Sequence, residues 1–372
     1  MTPRSSSQAD IDKSGRTLPE ENNVPKPRKT GRKKKTERKS RIRLILVLII
    51  LVIACLSCLS VYLYIKISRD YDTPLDYQVP AAEAADDYDP FILETKESYA
   101  DKLVVSDNNV NRDSVTLTGN NEHMLLFNLE TKEPLLATGI FEQAYPASLT
   151  KLMTAYCVKK YGDMDQMVTI QSEDLDLTEG AQASGLQAGD SLTVDKLLHI
   201  TLVYSGNDAA LALARTVSGS VDAFVDQMNK EAQRIGMTGT HYVNPTGLHD
   251  DNHYTTLYDM YLIMNTIQNE YPELNEISQM PQYVVEYTTA SGQAASFILY
   301  ATDEYLSGLR QLPEGLAILQ SKTGTTEQAG ACLSLLLQNS KGVPYAAIVM
   351  GAGDHELLYQ DMTSLLKRIP QD

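Results

Sequence analysis

The sequence predicts an α/β fold of the α+β type: one antiparallel sheet flanked by helices, with a helical subdomain, preceded by one transmembrane helix. Strand-like apolar runs lie at both ends of residues 114–372 and helical periodicity fills the stretch between them, so strands from the two ends can pair across one sheet. Residues 44–65 form a run without any charge. As a helix this run would be roughly 33 Å long, which matches the hydrocarbon core of a bilayer.

The elements of the folded part are predicted from apolar spacing and from turn residues. Two strands joined by the polar turn 130–133 are expected first, then a series of helices, then three more strands and a closing helix. The predicted ranges are strands 123–129 and 134–138; helices 148–161, 194–217 (interrupted at 205–207), 222–235 and 257–267; strands 316–322, 330–338 and 345–352; and helix 357–368.

The charge distribution supports a membrane span. Residues 1–43 carry 14 Lys and Arg against 5 Asp and Glu, whereas the chain from Ile67 onward carries 17 against 43. Positive residues flanking an apolar span favour the cytoplasmic side. We expect a basic, disordered cytoplasmic tail over 1–43 and a single-pass helix over 44–65 in the lipid bilayer of the cell membrane. The folded part that follows would then be extracellular.

Three alternatives for this N-terminal region stay open. A cleaved signal peptide is one, although the apolar run is long and no cleavage site of the A-x-A type follows closely. Lipidation of Cys55 is another, although ten uncharged residues follow it. A basic arm that binds nucleic acid is the third, but its position against an apolar span favours anionic headgroups, and no nucleic acid is expected as a partner.

The chain between the span and the folded part is predicted to be an acidic extracellular tether, 66–113. It lacks apolar periodicity and has ten acidic residues between Asp70 and Asp101. A helix over 91–103 is the alternative. The domain that follows is expected to cover 114–372.

The cysteines and histidines predict neither a cofactor nor a metal. Cys157 and Cys332 lie in apolar stretches, so buried free thiols are expected, with a bridge between them left open. The loop 249–253 holds five potential ligands, including His249 and His253. A cation site there is an alternative to a solvated polar loop.

Three short strings carry the chemistry. The first holds Ser148 and Lys151, which share a face of a helix at i and i+3 and can therefore touch. A serine hydroxyl needs a base to act as a nucleophile, and none of the six histidines is near these strings in a recognisable way. Lys151 is therefore expected to be the base, working as a free amine. Its pKa would have to be lowered by burial and by a second cation, for which Lys322 is the candidate.

The second string places Ser205 and Asn207 in a loop between helical stretches. Ser205 offers a hydroxyl that can pass a proton between Lys151 and a leaving amine, which makes it the third predicted catalytic residue. Asn207 can donate to a substrate carbonyl and can anchor Lys151. Taken alone, Ser-Gly-Asn is also ordinary turn composition.

The third string, Lys322-Thr323-Gly324-Thr325, is predicted to be an edge strand that binds substrate. Lys322 and Thr323 would bind a terminal carboxylate, and Gly324 would let the substrate backbone approach closely. The N–H of Thr325 would pair with that of Ser148 as an oxyanion hole, worth roughly 3 kcal/mol per donor. The three strings are 57 and 117 residues apart, so separate elements must converge on one cleft.

The chain resembles the serine D-alanyl-D-alanine carboxypeptidases, which are low-molecular-weight penicillin-binding proteins. The resemblance covers roughly residues 120–365, and it rests on the three strings and on the segments 146–155, 202–210, 228–229, 236–237, 244–248 and 329–330. It implies a β-lactamase/transpeptidase-like fold. It also implies removal of the last D-alanine from peptidoglycan stem peptides through an acyl-enzyme on Ser148, which β-lactam antibiotics would also acylate, with no cofactor. Unlike many members, this chain has its predicted anchor at the N-terminus.

Several rival functions remain open. A β-lactamase would need a base for deacylation, and 240–247 contains no glutamate. A transpeptidase differs only in whether an amine or water takes the acyl group. A non-catalytic module that binds the wall or senses β-lactams is the third rival, although every reactive residue is present.

Overall fold

The computed structural model describes residues 102–370 except 118, 120 and 121. The predicted tail 1–43, span 44–65 and residues 66–101 of the predicted tether lie outside these residues. Within them, no helix is both long enough and apolar enough to cross a membrane.

The centre of the fold is a five-stranded antiparallel sheet in the order β2-β1-β9-β8-β7. Strands from the two ends of the domain meet in its middle, where His123 pairs with Met350 and Asn128 with Tyr345. The predicted pairing of the two ends is therefore confirmed. The strands are β1 (His123–Asn128), β2 (Pro134–Thr138), β7 (Ala317–Thr326), β8 (Gly330–Gln338) and β9 (Pro344–Ala352).

In the described residues, six α-helices lie between β2 and β7, and a seventh follows β9. A 3₁₀ turn (Ala147–Thr150) leads directly into the first helix, and a π-helical turn (Ile200–Tyr204) precedes the third. The helices are α1 (Lys151–Tyr161), α2 (Val194–His199), α3 (Asn207–Ser218), α4 (Val221–Ile235), α5 (Leu257–Glu270), α6 (Glu273–Ser278) and α7 (His355–Leu366). The predicted interruption of 194–217 is confirmed.

Both faces of the central sheet are buried, which explains why its strands are almost continuously apolar. Along β1, Leu125 and Phe127 belong to one hydrophobic cluster with α1 and α5, whereas Met124 and Leu126 belong to a second cluster with α7. Successive side chains of a strand point to opposite faces. The sheet is therefore sandwiched between helices, and this packing holds β7 against the turn that precedes α1.

A second sheet corrects the prediction of a single one. It has four antiparallel strands in the order β3-β4-β5-β6, with β3 (Met167–Thr169), β4 (Ser191–Thr193), β5 (Gln282–Thr288) and β6 (Ala294–Tyr300). The first two strands have only three residues each, too few to show alternation. The hairpin of β5 and β6 leaves one face in solvent, as with Val284 and Ile298, so it lacks the dense apolar run by which the central strands are recognised.

The end of the predicted tether packs onto the domain, which corrects its boundary. Val104 is fully buried; its N–H donates to Tyr261 Oη (2.9 Å) and its carbonyl accepts from Tyr258 Oη (2.8 Å). Val110 forms a β-bridge with Ala137. Val104 and Val110 therefore attach this end of the predicted tether to the domain.

Candidate active site

Ser148 lies in the 3₁₀ turn at the entrance of α1, in a strained and tightly packed segment. Ala147 adopts a left-handed backbone with φ 45°, which non-glycine residues rarely do. Gly247 and Gly324 press against this turn: a Cβ added at Gly247 would lie 1.8 Å from Ala147 O, and one at Gly324 would lie 2.9 Å from Ser148 N. The two glycines therefore let neighbouring backbone approach the serine.

Lys151 is fully buried one turn along, and its amine has three oxygen neighbours. Lys151 Nζ lies 2.9 Å from Ser148 Oγ, 2.8 Å from Asn207 Oδ1 and 2.6 Å from Thr246 O. A neutral amine has two N–H donors and one lone pair. It can therefore donate to Asn207 and Thr246 while accepting the hydroxyl proton of Ser148.

The surroundings of Lys151 favour the neutral amine. Burial lowers the pKa of Lys151 well below its ordinary value, and the positive charge of Lys322 lowers it further. The carboxylate of Asp208 acts in the opposite direction and raises it. Both of the causes expected for this shift, burial and Lys322, are therefore present.

Asn207 is held by the backbone of a neighbouring loop. It begins α3, its Nδ2 donates to Gln182 O (3.1 Å) and its N–H donates to the same carbonyl (2.9 Å). This pairing leaves Oδ1 for Lys151. The next residue, Asp208, is fully buried and accepts from the N–H and Oγ of Ser184 at 2.8 and 2.7 Å.

Ser205 is connected to Lys322 in the structure. Ser205 has a left-handed backbone (φ 67°) at the end of the π-helical turn, and its Oγ accepts from Lys322 Nζ at 2.9 Å. Lys322 is 1% exposed, and its Nζ also donates to Thr323 O at 2.9 Å. Burial lowers the pKa of Lys322 to about 7.

The third string is an edge strand, as predicted. β7 is the last strand of the central sheet and extends through Thr326. Thr323 Oγ1 pairs with Thr302 Oγ1, and Thr325 Oγ1 lies 3.0 Å from His355 Nε2. Gly324 was expected to admit a substrate backbone; the close approach that the structure shows there is that of the Ser148 turn.

These residues surround a cavity of about 610 Å³. Of the eight predicted site residues, six line it and two lie behind its wall. The lining six are Ser148, Ser205, Asn207, Thr323, Gly324 and Thr325. Lys151 and Lys322 are buried and reach the cavity through Ser148 and Ser205. The arrangement can activate a serine for acyl transfer, because a neutral amine contacts its hydroxyl beside a cavity of substrate size.

Four further residues contribute to the site although no sequence pattern predicts a role for them: Asp208, Gln182, Thr246 and His355. Asp208 follows Asn207 directly, so its acidic charge next to the second string was the available signal. Gln182 and Thr246 act through backbone carbonyls. Any residue type supplies a carbonyl, so no sequence pattern marks these two.

The histidine loop and the cysteines take structural positions. His253 is buried, lies 2.8 Å from Thr150 Oγ1 through Nε2, and accepts from Val243 N at 3.1 Å. Burial lowers its pKa to about 4. In the described part of the chain, no group of three His, Cys, Asp or Glu residues could hold a metal ion. Cys157 and Cys332 are buried free thiols, so the open question of a bridge is answered.

Comparison with known families agrees with this geometry. The family model for D-alanyl-D-alanine carboxypeptidases of the Peptidase_S11 type matches residues 110–354, well over half of the chain. This chain belongs to the D-alanyl-D-alanine carboxypeptidase family. The matched region contains all three strings and all eight predicted site residues, and it ends one residue before His355.

Curated relatives of this family member are about one-third identical to it over the parts that align. It is 35% identical over 141 residues to D-alanyl-D-alanine carboxypeptidase DacF of Bacillus subtilis, covering 37% of this chain and 36% of the relative. It is 31% identical over 220 residues to DacA of Haemophilus influenzae, covering 56% and 51%. The chain thus spans about a third to a half of the length of these relatives.

Solved structures share the fold. Penicillin-binding protein 5 from Haemophilus influenzae aligns with a TM-score of 0.59 at 28% identity, covering 68% of this chain and 71% of that one. The Streptomyces K15 DD-transpeptidase aligns with a TM-score of 0.60 at 24% identity, covering 68% and 97%. The second likeness shows the fold alone.

Proposed function

We propose that this chain is a serine D-Ala-D-Ala carboxypeptidase that removes the terminal D-alanine of peptidoglycan stem peptides. The observation that carries the proposal is the contact of the buried Lys151 amine with Ser148 Oγ inside a member of this family. The substrate is a peptide that ends in D-Ala-D-Ala, and β-lactam antibiotics acylate the same serine.

In the acylation step Ser148 is the nucleophile and Lys151 the base. The amine takes the hydroxyl proton as Ser148 Oγ adds to the carbonyl carbon of the scissile bond. When the tetrahedral intermediate collapses, the C–N bond breaks and an ester to Ser148 remains. The departing D-alanine amine receives a proton from Lys151 through the hydroxyl of Ser205. Water then hydrolyses the ester and regenerates the serine.

Substrate binding is assigned to β7 and to Asn207. The N–H groups of Ser148 and Thr325 stabilise the oxyanion, and Asn207 donates to a substrate carbonyl. Lys322 and Thr323 bind the terminal carboxylate. Support comes from the edge position of β7, since such strands leave N–H and C=O groups unpaired. Gly324 keeps β7 close to Ser148.

The decisive experiment follows a peptide that ends in Lys-D-Ala-D-Ala by mass spectrometry. The full chain should release one D-alanine, and Ser148→Ala should release none and should resist labelling by a fluorescent penicillin. An intact peptide together with an unlabelled wild-type protein would overturn the proposal.

We further infer that the enzyme is tethered to the cell membrane by residues 44–65. The support is their length without charge and the change from net +9 before the span to net −26 after it. Residues 1–43 would be cytoplasmic and the catalytic domain extracellular. Protease added to intact cells should remove the catalytic domain and spare the N-terminal tail. Protection of the domain would contradict this topology.

A further inference from the structure

The cavity in front of Ser148 has few positive groups for a carboxylate. Among the described residues that line it, none is lysine or arginine, and two are the acidic Glu179 and Glu327. Lys322 is 1% exposed and already donates to Ser205 Oγ and Thr323 O. A carboxylate in the cavity therefore needs another partner on the wall besides Lys322.

Two histidines, His249 and His355, line the cavity, and their surroundings differ. The Nε2 of His249 lies 3.4 Å from Asp251 Oδ1, and its ring packs edge-on against Tyr145 with centroids 4.8 Å apart. His249 therefore already contacts an acidic side chain and an aromatic ring. An anion placed beside it would also meet the carboxylate of Asp251.

His355 instead faces the strand assigned to substrate. It is exposed at the start of α7, and its Nε2 lies 3.0 Å from Thr325 Oγ1. Thr323 and Thr325 are two residues apart on β7, so their side chains share one face, and both line the cavity. The imidazole of His355 therefore lies next to the hydroxyls of Thr323 and Thr325 on the cavity wall.

We propose that His355 is a specificity-determining residue that, together with Thr325, binds the free carboxylate of the substrate's last residue. The inference rests on the proposed carboxypeptidase function. One ring nitrogen of His355, Nε2, contacts the Thr325 hydroxyl, and an N–H on the other, Nδ1, can donate to the carboxylate. Because a terminal amide lacks the negative charge, His355 would favour chains that end in a free acid.

The test compares two substrates that differ only in this group. The full chain is assayed with diacetyl-Lys-D-Ala-D-Ala and with its C-terminal amide, and kcat/KM is measured for each. His355→Ala should lower kcat/KM for the free acid by roughly 10–100-fold, the size expected for a lost hydrogen bond to a charged group, and change the amide by less than about 2-fold. His355→Arg places N–H donors at the same position and should recover most of the preference.

His249→Ala is the matched control because it removes the other cavity histidine, and it should leave the acid-to-amide ratio unchanged. If His355→Ala leaves the acid-to-amide ratio of kcat/KM unchanged, the proposed role of His355 is overturned, whereas the proposed carboxypeptidase activity is not. A ratio changed by His249→Ala alone would assign the role to the other histidine.

A second measurement separates failure of the two proposals. Acylation rates are measured with benzylpenicillin and with its methyl ester, which lacks the carboxylate. If the wild type releases no D-alanine but is acylated with a preference for the free acid that His355→Ala abolishes, the proposed peptidase fails and the role of His355 stands. A wild type inert to peptide and to both penicillins overturns both.

Discussion

Lys151 Nζ lies 2.9 Å from Ser148 Oγ, and the lysine side chain is fully buried. Both residues come from consecutive turns of one short segment, so their contact depends on local backbone geometry more than on distant packing. Burial and the charge of Lys322 lower the pKa of Lys151, which leaves the amine able to accept a proton.

Replacing this amine should remove most of the acylation. Lys151→Ala is expected to slow acylation by a penicillin about 10²–10⁴-fold, the range that a general base contributes. Stopped-flow acylation followed by intact-protein mass spectrometry measures the rate. Lys159→Ala is the control, since Lys159 lies on the same helix and pairs with Glu273 at 3.0 Å. A Lys151→Ala protein acylated at the wild-type rate would exclude this lysine as the base.

Removing Lys322 should move the pH dependence of acylation. The positive charge of Lys322 lowers the pKa of Lys151, so Lys322→Met should raise that pKa and shift the acid limb of the pH–rate profile to higher pH. Lys322 carries its charge below its own pKa of about 7, so the effect of the substitution on the acid limb is expected in that pH range. Lys322→Arg keeps the charge and should leave the limb in place. If the acid limb of the pH–rate profile is unchanged in Lys322→Met, the charge of Lys322 does not set the pKa of Lys151.

Neutralising Asp208 should shift the same limb in the opposite direction. The carboxylate of Asp208 raises the pKa of Lys151, so Asp208→Asn should lower that pKa and extend acylation to lower pH. The variant also loses charged hydrogen bonds to Ser184, which should cost about 1–3 kcal/mol of stability. Asp222→Asn, on an exposed position of α4, is the control. A shift to higher pH would show that Asp208 acts by positioning rather than by charge.

The central sheet could be predicted because its strands are buried on both faces. β8 and β9 are dense apolar runs joined by the turn residues 339–343, a pattern that favours strands regardless of context. β3 and β4 are three residues long and are recognised only by their pairing with each other and, for β4, with β5. Their tertiary partners, rather than their sequence, make them strands.

The residues of the site and the contacts of Lys151 with Ser148 and Asn207 were predictable, but other hydrogen bonds of the site were not. Three strings of reactive side chains mark Ser148, Lys151 and Lys322, because hydroxyl and amine chemistry needs those residue types. The hydrogen bond of Lys151 to Thr246 O depends on the path of the backbone. The pairing of Ser205 with Lys322 likewise joins residues 117 positions apart. Only the folded chain determines such distances.

Gly247 should tolerate no side chain, because it packs against the turn that holds Ser148. Its φ is +82° and an added Cβ would lie 1.8 Å from Ala147 O and 2.9 Å from Thr150 Oγ1. Gly292 has the same φ, but nothing lies within 4 Å of its added Cβ. Substitution of Gly292 therefore tests backbone strain alone, whereas substitution of Gly247 tests strain together with steric clash.

Gly292→Ala should cost only the strain of a left-handed alanine, about 1–2 kcal/mol in the free energy of unfolding, with normal acylation by penicillin. Gly247→Ala should cost more than this and should also slow acylation, since backbone of the Ser148 turn must move to admit the methyl group. Thermal unfolding and acylation rates of both variants provide the test. Equal stabilities with equal acylation rates would show that the Ser148 turn yields without loss of function, and the packing of Gly247 would then not position the serine.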